Sequence, residues 1–249
     1  MRATWVWDRP EPLTLVAWAR HQGVAELFVH VAPGLATSPD LAWVRSVSAG
    51  ARAAGIRIAA LGGDPSWATR PEAALAWQSA ALVTDLFDGV HVDIEPWCRG
   101  DWDTHRARVV AGYLEVHRRL VGATSLPVEA DIAFWLHEIE SADGPLDAAL
   151  LRLVDAVTVM SYRNTATGPD SITAVGEHAL GAADGLDTPC RLAVETRYLG
   201  PDPVARKQTF HGMGSAALDR AMAAVDAHVA GVSSYNGIAV HDHAGWRSL

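Results

Sequence analysis

The sequence predicts an α/β protein, a single (β/α)8 TIM barrel spanning residues 1–249. Eight short apolar, β-like runs recur along the chain, and segments with helical spacing join each to the next, the pattern of a parallel sheet. At 249 residues, closing eight such units into a barrel is the economical solution. No GxGxxG follows the first run, which sets aside the open dinucleotide-binding sheet.

In order, the strand candidates are ATWVWD (3–8), AELFVHV (25–31), IRIAALGG (56–63), DGVHVDIE (88–95), LPVEADIAFW (126–135), AVTVMSYR (156–163), CRLAVETR (190–197) and VSSYNGIAVH (232–241). DLAWVRSVSAGARAAG, PEAALAWQSAALVTDLF and SAALDRAMAAVDAHVA show helical spacing. Acidic residues or proline at the openings suit helix N-termini, and glycine at the ends suits C-caps. No linker, charge block or low-complexity stretch divides the chain.

Composition narrows the function. Almost half the residues are hydrophobic, enough for a sizeable core. A net charge of −9, with no basic stripe, argues against a nucleic-acid partner. Lys207 is the single lysine, so Schiff-base chemistry would rest on it alone. Cys98 and Cys190 form no CxxC or zinc-type spacing and fit a reducing, cytoplasmic setting. The N-terminus lacks the pattern of a secretory signal, and no apolar stretch is long enough to span a bilayer. No cofactor, metal, nucleic acid or membrane is therefore expected as a partner, only a small-molecule or oligosaccharide substrate; the oligomeric state is not legible.

Active sites of such barrels lie at the C-terminal ends of the strands. Those ends carry Asp8, His30, Gly62–Asp64, Asp93, Glu95, Trp97, Phe134, Trp135, Tyr162, Arg163, Glu195 and His241. Strand alternation puts His91, Asp93 and Glu95 on one face and Val90, Val92 and Ile94 on the other. Three ionisable groups in a row cannot face the helix layer cheaply, so they face the interior and its mouth. Two close carboxyls push each other's pKa values apart, and one can stay protonated near neutrality, as a general acid requires. The bland alternative is an Asp held by an Arg, with Glu95 a solvated strand end. Trp97, Trp135, Tyr162 and Trp246 follow or end strands 4, 5, 6 and 8, where flat rings suit a sugar; Trp43 and Trp77 lie on helical segments and read as core.

The run Asp88-Gly89-Val90-His91-Val92-Asp93-Ile94-Glu95 resembles the DGxDxDxE strand-4 signature of glycoside hydrolase family 18, the chitinases and their relatives. AALGGDPSW resembles the strand-3 SxGG motif with Ala60 in place of serine, and VTVMSYRN the strand-6 MxYD motif with Arg163 in place of aspartate. The resemblance implies that Glu95 protonates the glycosidic oxygen. It further implies that Asp93 orients a 2-acetamido group whose carbonyl attacks C1, while Tyr162 hydrogen-bonds the cyclic intermediate. His91 stands where the family has its middle aspartate, which helps control protonation of the next. Arg163 has a planar fork suited to carboxylate or phosphate. Asp8, His30, His91, Trp97, Trp135, Arg163 and His241 are the expected substrate-binding set.

RLAVETRYLG places Glu195 at the end of strand 7, and acids ending strands 4 and 7 resemble the clan A glycosidases, in which the second is the nucleophile. Retaining chemistry of that kind needs carboxyls about 5 Å apart. An ion pair of Glu195 with Arg197 or Arg191 is the alternative. Two rival functions stay open: a chitinase-like barrel that binds glycans without cleaving them, and a metal-dependent hydrolase using His241-x-His243 with His30, His91 and Asp8 nearby. Serine-hydrolase, Walker A, HExxH and EF-hand motifs are absent.

Overall fold

A computed structural model describes residues 1–249. Its barrel strands are β1 (Arg2–Val6), β2 (Val24–His30), β3 (Arg57–Gly62), β4 (Gly89–Val92), β5 (Val128–Ala133), β6 (Ala156–Met160), β7 (Cys190–Glu195) and β8 (Tyr235–His241). All pair in parallel with their sequence neighbours, and β1 pairs with both β2 and β8, closing the cylinder. The helices are α1 (Pro12–His21), α2 (Leu41–Ala53), α3 (Pro71–Leu82), α4 (Arg106–Gly122), α5 (Leu146–Leu151), α6 (Ile172–Leu186), α7 (Pro203–Lys207), α8 (Ser215–His228) and α9 (His243–Arg247). None is long and apolar enough to cross a membrane.

Local chemistry sets the ends of these elements. The Glu11 carboxylate accepts from Leu13 and Thr14 N–H at 3.0 and 2.7 Å, capping α1 ahead of Pro12. Gly55 takes φ +71° just beyond α2, as a helix-stopping glycine does. At the N-terminal end of the barrel, Asp88 and Asp155 each reach back to a neighbouring strand, accepting from Ile58 N–H at 3.0 Å and Val128 N–H at 2.8 Å. Asp88 therefore serves strand pairing and does not reach the mouth. A small hairpin, Glu140–Ser141 with Gly144–Pro145, leads into α5 and has no counterpart in the predicted strands.

Alternation decides the two cores. Val90, Val92 and Ile94 face outward into the helix-covered core, while Trp5, Phe28, Leu61 and the small Ala3, Ala59, Ala193 and Ala239 fill the lumen. The small residues leave room for the large rings within the lumen. Below that layer lies an ionic floor: Arg191 bridges Glu26 at 2.5 Å and Glu129, and Thr158 donates to Glu129. This pairing rules out Arg191 as the partner of Glu195.

Candidate active site

β4 stops pairing at Val92, but the extended backbone continues, and Asp93 N–H still donates to Gly62 O at 3.0 Å. Gly63 is what allows this approach, since a Cβ there would lie 1.8 Å from the Asp93 carbonyl oxygen. Pro96, lacking an N–H, opens the short turn Pro96–Cys98. The result is a column. His91 is fully buried in the lumen, whereas Asp93 and Glu95 are half-buried above it.

His91 does not reach substrate, which corrects its place among the expected binding residues. Its ring stacks on Phe28 at 3.6 Å and meets the edge of Trp5 at 5.7 Å. Its Nε2 lies 3.0 Å from Asp131 Oδ1, and Trp5 Nε1–H donates to Asp131 Oδ2 at 3.0 Å. Burial opposes the imidazolium, but Asp131 and Glu129 outweigh it and raise the His91 pKa. Asp131 was missed in the sequence reading, although Glu129 and Asp131 alternate in LPVEADIAFW just as His91 and Asp93 do in their strand.

Burial raises the Asp93 pKa well above 3.8, with Asp131 and Glu95 adding like-charge repulsion, and its Oδ1 has no hydrogen-bond partner. Burial also raises the Glu95 pKa, opposed by the Cys98 thiol, which donates to Glu95 Oε2 at 3.2 Å. Cys98 is a second residue that sequence reading passed over; a lone cysteine three residues after an acid carries no motif. Tyr162 is half-buried beside the His241 ring at 6.1 Å, and burial first, then Glu195, keeps its hydroxyl protonated.

Glu195 and His241 are register partners on β7 and β8, which explains their contact. Glu195 Oε2 meets His241 Nδ1 at 2.8 Å, while Oε1 accepts from Thr196 and Arg197 N–H at 2.7 and 2.6 Å. Trp7 Nε1–H donates to His241 Nε2 at 3.0 Å, which requires a lone pair there and places the imidazole proton on Nδ1. Burial disfavours the imidazolium, and the Glu195 hydrogen bond more than offsets it, so the His241 pKa is raised. The Arg197 guanidinium goes instead to Asp242, at 2.7 and 2.8 Å. Neither guanidinium proposed for Glu195 reaches its carboxylate; its side-chain partner is the His241 imidazole.

No family sequence model and no curated protein matches the chain. Solved structures do. A class V chitinase from Pseudomonas fluorescens matches at TM-score 0.60 and 12% identity, over 100% of this chain and 97% of that one. The fold is the one these chitinase structures share. The Bacillus cereus spore cortex-lytic enzyme SleL matches at TM-score 0.59 and 10% identity, covering 99% and 72% of the two chains. A mutant class V chitinase from Nicotiana tobaccum, in complex with NAG4, matches at 0.54 and 13%, over 78% and 66%.

In this barrel, the remaining expected residues divide into rim and frame. Trp97 and Trp135 lie half-buried in a T-shaped pair, centroids 5.2 Å apart. His30 packs on Trp7 at 5.2 Å, its pKa lowered by burial. Asp8, half-exposed, accepts from His243 Nδ1 at 3.1 Å. Arg163 is not available to grip a substrate anion: it is buried, with Nε on Asp170 at 2.7 Å and Nη1 on the Tyr162 carbonyl at 2.8 Å. Trp246 is buried against Trp18 in the helix layer and leaves the expected mouth set. Trp77 is core as expected, whereas Trp43 is partly buried under Arg9. His241 faces the lumen while His243 packs on Trp18, so the HxH pair does not converge on one ion.

Proposed function

We propose that this protein hydrolyses a glycosidic bond of an N-acetylhexosamine-containing glycan, with Glu95 as general acid. The observation that supports this reading is the stacked pair Asp93 and Glu95, both at the mouth and both with raised pKa values. A raised pKa keeps the Glu95 proton available for the glycosidic oxygen as the C1–O bond breaks. The substrate class comes from neighbours named as chitinases, one of them in complex with NAG4.

Asp93 suits the second role better than Glu195. Glu195 has both oxygens engaged, by His241 and by two backbone N–H groups, so attack on C1 would forfeit those bonds. Asp93 has an unpartnered buried oxygen that can accept from an acetamido N–H. The acetamido carbonyl oxygen then bonds to C1, the alcohol leaves with the Glu95 proton, and water deprotonated by Glu95 opens the cyclic intermediate. Tyr162 donates to that intermediate, and Trp97 with Trp135 supplies a stacking face. Glu195 fixes His241, a positioning role. The two unpaired cysteines support a cytoplasmic setting.

Aryl 2-acetamido and 2-hydroxy glycosides test the scheme with wild type, Glu95→Gln and Glu195→Ala. Cleavage of the 2-acetamido substrate is expected to fall about 100-fold or more in Glu95→Gln and to survive in Glu195→Ala. Equal loss in both variants would make Glu195 the nucleophile. Oligosaccharide binding with no hydrolysis by wild type would replace catalysis with glycan binding.

A further inference from the structure

Away from the Asp93–Glu95 pair, three side chains converge that the sequence keeps far apart. His137 lies in the turn Leu136–Glu138 after β5, Asp147 in the first turn of α5, and His178 on α6. One ligand atom from each lies within 4.8 Å of the others. Asp147 is 2% exposed; its Oδ1 accepts from Ala148 N–H at 2.7 Å, but its Oδ2 has no hydrogen-bond partner. A buried carboxylate oxygen left in that state is costly. It lies 3.3 Å from His178 Nε2. That separation is about the edge of a tetrahedron with metal–ligand bonds of roughly 2.0–2.1 Å.

We propose that His137, Asp147 and His178 bind a divalent transition-metal ion, with Zn2+ the best match. The ring nitrogens support it. His137 Nδ1 lies 3.1 Å from the Phe134 carbonyl, which can only accept, so the proton sits on Nδ1 and Nε2 keeps its lone pair. A backbone carbonyl that holds the far nitrogen is the usual support of a metal-binding imidazole. The two rings are close neighbours, with centroids 4.0 Å apart. Two imidazoles and one carboxylate suit zinc and its transition-metal neighbours, whereas magnesium and calcium prefer oxygen donors. The His178 side chain is half-exposed, leaving an open fourth position for water. The ion ties the turn that follows Trp135 to α6, and nothing in the Glu95 chemistry depends on it.

Full-length protein, stripped with a chelator, is titrated with ZnCl2 by calorimetry and melted with and without the metal. The expected result is one saturable equivalent and a Tm raised by roughly 5 °C once Zn2+ is about 100-fold above Kd. MgCl2 should leave Tm unchanged. His178→Ala removes a half-exposed side chain, so its metal-free Tm should stay near that of wild type while the zinc response disappears. Asp147→Asn should weaken binding at least about 10-fold. No heat and no Tm shift in the wild type, or an undiminished response in His178→Ala, would leave only a His178–Asp147 contact and overturn the site.

Discussion

Substituting Asp93 with Asn isolates the electrostatic strain at the centre of the site. The carboxyl is surrounded by Asp131 and Glu95, with one oxygen unpartnered, and its pKa is raised well above 3.8 by burial first and then by those acids. The folded state therefore holds a proton that the unfolded chain releases at about pH 4. Between 3.8 and the raised value, the native state binds more protons, so stability falls as pH increases. The loss is about 1.4 kcal/mol for each pH unit the window spans, and it levels off above the native pKa. Asn keeps the shape and removes the titration. Wild type and Asp93→Asn should thus match near pH 4, and the variant should become the more stable by roughly 3–5 °C in Tm per pH unit across the window. Thermal and urea unfolding from pH 4 to 8 measure the difference. A pH-independent gap, or a variant less stable at pH 7, would mean that Asp93 is ionised and held by His91 or His241, and the reasoning would be wrong.

Other perturbations read different parts of the molecule. Cys98→Ala removes the donor that favours ionised Glu95, so the Glu95 pKa should rise and the basic limb of kcat/KM should move to higher pH; an unmoved limb would remove Cys98 from the site. Trp97→Ala breaks the T-shaped pair and should raise KM about 2- to 12-fold with kcat nearly unchanged, checked by steady-state kinetics on an oligosaccharide. Arg191→Met leaves Glu26 and Glu129 facing each other on the barrel floor and should cost about 3–5 kcal/mol in urea unfolding.

Much of this protein was legible in one dimension. The eight strands and the inward column His91–Asp93–Glu95 follow from apolar periodicity, because a period of two along a strand assigns faces without reference to anything else in the chain. Trp97 and Trp135 were legible for a related reason: a residue that ends a barrel strand must lie near the mouth. Trp246 failed because β8 ends at His241 and the chain then turns into α9, which returns the ring to the helix layer. Arg163 failed because its charge partner, Asp170, sits seven residues on in a loop whose path no periodicity describes. Partnerships between strands were invisible for the same reason. The closing of β7 against β8 brings Glu195 to His241, β5 beside β4 brings Asp131 to His91, and the packing of α6 on α5 joins His178 to Asp147. Sequence by itself determined which face each side chain takes, since that depends on local backbone geometry. Only the tertiary structure decided which charges meet, because barrel closure juxtaposes residues tens to hundreds of positions apart, and each proton's place depends on those neighbours.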